Sequence, residues 1–165
     1  MLSTVQDIPV LREEWYAQDM KAFWNIVFLL AFLLLVAGGF VFLSREGLLL
    51  SDIGWSDLVL LSLATFRLVR LFTYDHITAF LREWVAKGKS GTFLGTVKDL
   101  INCPWCTGVW FAALLYFGYC VDRALTMPLV IMLSIAALAT VFQVVANLVG
   151  WNAEDAKQEA LRRGV

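Results

Sequence analysis

Residues 55–72 read WSDLVLLSLATFRLVRLF, and the number of membrane crossings turns on them. Asp57 stands near one end and Arg67 and Arg70 near the other, so the charge-free centre, Leu58 to Phe66, is only nine residues long. A helix needs about 20 residues to cross a hydrocarbon layer of ~30 Å. Three other segments come close to or exceed that length without a charge: residues 22–43 (22 residues), 103–121 (19) and 124–151 (28). The flanking charges help to decide. If 55–72 is a span and the N-terminus is cytoplasmic, eleven Lys and Arg fall on inner segments and only Arg45 and Arg123 on outer loops. Cytoplasmic loops carry that bias. A three-span chain would put its termini on opposite sides and divide the bases less well.

The composition requires lipid. The chain has 165 residues, 60% hydrophobic and 16% charged, with mean hydropathy +0.73. Soluble domains run nearer about 45–50% apolar and about 25% charged, and a core this small cannot hide the excess. The net charge of −1 gives no general attraction to nucleic acid. The expected fold is an all-α integral membrane protein with four transmembrane helices and a cytoplasmic interfacial amphipathic helix. Residues 1–21 form a cytoplasmic N-terminal segment, with Trp15 and Tyr16 at the interface. Residues 22–43 form the first transmembrane helix, an uncleaved anchor rather than a signal peptide. Residues 55–151 form a three-helix membrane core with a cytoplasmic loop at 73–102. Residues 152–165 form a cytoplasmic tail, read as a short exposed helix capped by Asn152. The expected location is the inner membrane, with both termini cytoplasmic.

Within the long loop, Ile77, Phe80, Leu81, Trp84 and Val85 fall at the spacing of an amphipathic helix. Such a helix lies flat on the membrane or packs on the bundle. GKSG, residues 88–91, ends it. The GKS does not make a phosphate loop, because Glu83 stands where that motif needs glycine and no strand precedes it.

Arg67 and Arg70, three apart, share a helix face. A mid-membrane arginine costs ~2.5–3.5 kcal/mol on insertion scales, less if it snorkels. One reading sends both guanidiniums to inner-leaflet phosphates. The other pairs them inside the bundle with Asp75, Glu83, Asp99 or the cysteine loop. That loop, INCPWCTG at 101–108, opens the third long span. Asn102 suits a cap and Pro104 the first turn. Three readings compete for Cys103 and Cys106. A plain helix start with buried reduced thiols leads. A zinc site follows: Cys103, Cys106 and His76 in one chain, or four cysteines across a dimer. A redox pair activated by the helix N-terminus comes third. Cys120 lies about 21 Å along the helix and cannot join.

LATFRLVRLFTYDHITAFLRE followed by INCPWCTGVWFAALL resembles the small bacterial and phage membrane proteins grouped as the domain of unknown function 1360 family. The likeness covers roughly residues 55–150 and marks Arg67, Arg70, Asp75, Arg82, Cys103, Pro104, Cys106, Gly108 and Trp110. Trp105 lies between the two cysteines. The resemblance implies a fold and a motif set, with a role in envelope or host-membrane remodelling by association. The leading expectation is a non-enzymatic protein with a cytoplasmic working surface that assembles with itself or a membrane partner. Gly108 and Ala112 would allow close helix approach, and anionic lipid headgroups are expected partners at that face. A thiol or zinc protein is the alternative, and a phage-type holin or pore a third. One histidine and no paired carboxylates within a span speak against an enzyme.

Overall fold

The computed structural model describes residues 9–48 and 53–163, with side chains described from residue 18 onward except at Ala160. Trp15 and Tyr16 therefore lie outside the described side chains. Among the described residues every regular element is helical: α1 (Pro9–Arg45), α2 (Trp55–Thr73), a 3-10 turn (His76–Thr78), α3 (Ala79–Ala86), α4 (Phe93–Asn102), α5 (Pro104–Val121) and α6 (Arg123–Arg162). The all-α expectation holds. Three helices are long and apolar enough to cross a membrane: Gln18–Arg45, Pro104–Val121 and Arg123–Glu159. On length and apolarity, three of the four expected spans qualify and α2 does not. Asp57, Arg67 and Arg70 interrupt the apolar run of α2.

Yet α2 is the centre of the bundle, packed on both α5 and α6. It runs antiparallel to α5. Asp57 meets Tyr119 at one end, and the Phe72 and Phe111 rings lie 5.0 Å apart toward the other. Leu61 and Ala64 of α2 share a core with Leu115 and Tyr119 of α5, Val130 of α6 and Leu43 of α1. Ser134 of α6 is buried and bonds the Leu60 carbonyl at 2.8 Å and its own helix at Val130 O, 2.7 Å. A buried hydroxyl satisfied across a helix pair is a common tie where no water is at hand.

α1 lies alongside α5 through rings. Phe28 and Phe32 meet Trp110 at 6.5 and 5.1 Å, and Phe40 meets Tyr116 and Phe117 at 5.9 Å each. Gly39 makes room for this: a Cβ there would stand 2.6 Å from Phe117 Cε1.

Three expectations are corrected. The tail is not a separate helix, because α6 runs unbroken through Asn152 for 40 residues, about 60 Å. α1 likewise starts at Pro9 and runs through residue 22 without a break. The loop at 73–102 holds two short helices rather than one. In α3, Val85 is buried and Leu81 half-buried, while Phe80 and Trp84 are 65% and 61% exposed, as is Ile77 of the preceding 3-10 turn at 72%. One edge of the stripe packs toward α4 and the other is bare. α4 was hidden behind GKSG. Its cap is Thr92, whose Oγ1 accepts from the Gly95 N–H at 3.1 Å.

The glycines explain the tight turn between α3 and α4. Gly91 has φ +80, and a Cβ on Gly88 would stand 2.6 Å from Gly95 N. A Cβ on Gly95 would run into the Lys89 carbonyl. Gly95→Ala should therefore weaken the α3–α4 unit by about 1–3 kcal/mol. Tryptic cleavage at Lys87 and Lys89 should quicken several-fold, and an unchanged digest would refute the close approach.

Candidate functional site at the arginine end

The last turn of α2 leaves carbonyls without helical partners. Side chains from the following segment take them. Arg82, on α3, donates from Nη1 to Phe72 O (3.1 Å), Asp75 O (2.9 Å) and Thr78 Oγ1 (2.9 Å). Thr78 Oγ1 reaches Leu71 O at 2.5 Å and Asp75 O at 3.2 Å. Arg67 reaches forward over two turns to Asp75, 2.9 Å. Arg67, Asp75 and Arg82 thus form a latch that turns the chain back after α2. Of the acids considered for the arginines, Asp75 takes Arg67, Asp99 pairs with Lys21 at 2.9 Å, and Glu83 is exposed. Arg70 stands apart, its guanidinium between the Phe66 and Tyr74 rings.

Two threonines anchor the end of α4, Thr73 to the end of α2 and Thr107 to the start of α5. Thr73 bonds Ile101 O at 3.3 Å and Thr107 bonds Leu100 O at 2.6 Å. Helix α5 then starts with Cys103 as its cap, Sγ accepting from the Cys106 N–H at 3.2 Å, and Pro104 in the first turn. The helix-start reading is right about Pro104 but not about the cap, since Asn102 closes α4. The thiols are neither buried nor apart. Cys103 is half-buried and Cys106 exposed, and their sulfurs are paired as a disulfide with Cα atoms 5.3 Å apart. Trp105 is 88% exposed.

His76 is exposed at the start of the 3-10 turn. Among the described residues no three His, Cys, Asp or Glu side chains gather where a metal ion could be held, so one chain does not assemble the expected Cys103–Cys106–His76 set. Gly108 faces Val69 of α2 at ordinary contact distance, whereas Ala112 is exposed. Cys106, Asp99, Phe28, Phe32 and Trp110 line a cleft of about 430 Å³ between α1, α4 and α5.

The family of proteins of unknown function designated DUF1360 matches residues 60–146. This chain belongs to that family. The DUF1360 match runs from α2 into α6, so it takes in the latch and the cysteine loop and leaves out all of α1, the first turn of α2 and the end of α6. Two relatives come from Bacillus subtilis (strain 168). Sporulation protein YjcA is 37% identical over 106 residues, covering 54% of this chain and 90% of the relative. UPF0713 protein YngL is 31% identical over 96 residues, covering 52% and 74%. No solved structure matches the chain.

Sequence reasoning on this DUF1360 chain missed the other end of the bundle. Asp57 is buried, accepts from the Tyr119 hydroxyl, and pairs with Arg123 at 2.7 Å. Arg123 also lies 5.2 Å over the Tyr119 ring. This knot joins α2, α5 and the start of α6. A signal did exist in the single acid near the start of α2 and the single base opening α6, but pairing residues 66 apart needs the helix order.

Proposed function

We propose that this protein is a four-span inner-membrane protein, both termini cytoplasmic, that works by assembling with itself or with a membrane partner rather than by catalysis. The observation that carries the assembly reading is the second half of α6. From Val141 onward its described side chains are exposed, Phe142, Val145, Leu148 and Val149 among them. Gln143 and Asn147 sit within that apolar surface, bonded only to each other at 3.1 Å among the described residues. Carboxamides on an apolar helix face favour hydrogen bonds to a neighbouring helix.

The four-span part rests on α2. Its ends lie level with those of α5, and its charges are drawn inward by the Asp57 knot and the Arg67–Asp75 pair. Paired charges facing the bundle are the form in which a span tolerates them. The excess of bases at the arginine end supports a cytoplasmic position for it, and there the bare edge of Ile77, Phe80 and Trp84 suits the headgroup layer. The sporulation name of one relative supports work in envelope remodelling.

Size by native mass spectrometry from lipid nanodiscs tests the assembly. A dimer or larger species, or a stoichiometric co-purified protein, is expected, and Gln143→Leu with Asn147→Leu should weaken it. A strict monomer with no partner overturns the reading.

A thiol role is the second reading, favoured by the paired sulfurs and the exposed Cys106 at a helix start. In protein purified without reductant, Cys103 and Cys106 should take up maleimide only after reduction. Cys120, free and buried, should react only after unfolding. Ready labelling of Cys106 without reductant would remove this reading.

A further inference from the structure

Three arginines crowd the end of α2, and two are committed. Arg67 holds Asp75, and Arg82 closes the last turn of α2. Arg70 differs. Among the described residues it has no acidic partner, and its buried Nε has no hydrogen-bond partner at all. A buried donor left unmade costs about 1–3 kcal/mol, more when charged. Two rings hold the group in place, with the guanidinium carbon 5.9 Å from the Phe66 centroid and 5.7 Å from that of Tyr74.

The same arginine lines a cleft of about 530 Å³ whose other walls are Phe66, Val69, Tyr74, Pro104 and Trp105. Apart from the tyrosine hydroxyl and the indole N–H, the side chains of those walls are apolar. Pro104 and Trp105 begin α5, so the positive end of an 18-residue helix adjoins the cleft. The cleft thus suits a group with one negative charge, forked acceptor oxygens and an apolar body. An inorganic phosphate dianion would leave its second charge unpaired against apolar walls. A phospholipid phosphodiester carries one charge, and guanidinium matches its oxygens two at a time; the walls hold no acidic side chain to take a choline ammonium, which favours a lipid whose headgroup carries no cation. Phe66 lies one turn before Arg70, toward the middle of α2, which lets acyl chains follow the helix away from the phosphate. Tyr74 and Trp105, 59% and 88% exposed, stand where interfacial aromatics belong.

We propose that the cleft between the end of α2 and the start of α5 binds the headgroup phosphate of an anionic phospholipid, with Arg70 as its ligand. This rests on the reading above that α2 crosses the membrane.

The test is lipid retention by the full chain, released from nanodiscs of equal phosphatidylglycerol and phosphatidylcholine and read by native mass spectrometry. Phosphatidylglycerol should be retained over phosphatidylcholine, and Arg70→Gln should lower that preference by roughly tenfold, the loss of a charge-assisted bond pair. Tyr74→Glu, which places a competing carboxylate beside Arg70, should do the same with the helical circular dichroism unchanged, so the result does not hang on one variant's folding. Inorganic phosphate at millimolar concentration should not raise the melting temperature in detergent. Equal retention of the two lipids, retention indifferent to both substitutions, or stabilisation by free phosphate in place of lipid overturns the inference and leaves the four-span reading standing. A chain that does not stay in the nanodisc overturns both.

Discussion

Arg123→Met should lower the stability of the bundle by about 3 kcal/mol. The variant keeps an apolar stem of similar length and removes the charge that faces Asp57. The aspartate side chain is only 11% exposed. Without the guanidinium it keeps a single neutral donor, the Tyr119 hydroxyl. Breaking a buried pair from one side typically costs about 3–5 kcal/mol. The low end applies here because Arg123 is itself 63% exposed and solvent screens part of the attraction. Adding Asp57→Asn should restore most of the loss, since a neutral amide oxygen still accepts from Tyr119 and needs no counter-charge. Unfolding in mixed micelles, followed by circular dichroism, measures both. If Arg123→Met falls within about 0.5 kcal/mol of the parent, the range of ordinary surface substitutions, then apolar packing alone holds that end.

Arg82→Met should have an effect of similar size, about 3 kcal/mol, confined to one end. The arginine makes three hydrogen bonds of 2.9–3.1 Å to groups on and just after α2. Bonds to a charged group contribute about 1.5–3 kcal/mol each, but they share one nitrogen and do not add. Amide exchange across residues 72–86 should speed up while the α2–α6 contact around Ser134 stays protected, because local opening follows local support. Arg82→Lys should recover only part of the protection, since one ammonium cannot span the same fork of acceptors. Uniform exchange across the whole bundle would mean that Arg82 supports the global fold rather than the latch.

The helical class could be read from the apolar runs at 22–43, 103–121 and 124–151, because lipid forces every backbone group to find a partner within its own segment. The motif residues Arg67, Asp75 and Arg82 could also be named in advance, and Asp75, one of several acceptors open to the two arginines beside lipid phosphate, is the one that takes Arg67. Their division of labour could not. Arg67 and Arg70 share a helix face in the sequence, yet one is paired and the other faces a cleft. Which is which depends on where the chain turns after Thr73. The same limit hid α4 and the threonine anchors. A ten-residue amphipathic helix with a threonine cap looks like loop until its glycines are seen packed against the preceding turn.

The sequence by itself thus determined the helical class, the family and the residues of the latch, since each follows from local composition or a short motif. Only the tertiary structure decided that Asp57, Tyr119 and Arg123 form one knot, that Cys103 pairs with Cys106 while His76 stays away, and that of the three arginines around the end of α2 only Arg70 has no hydrogen-bond partner among the described residues. These are matters of helix order and register. A pairing across 62 or 66 residues depends on which helices are neighbours and how they are turned, and no local pattern encodes that.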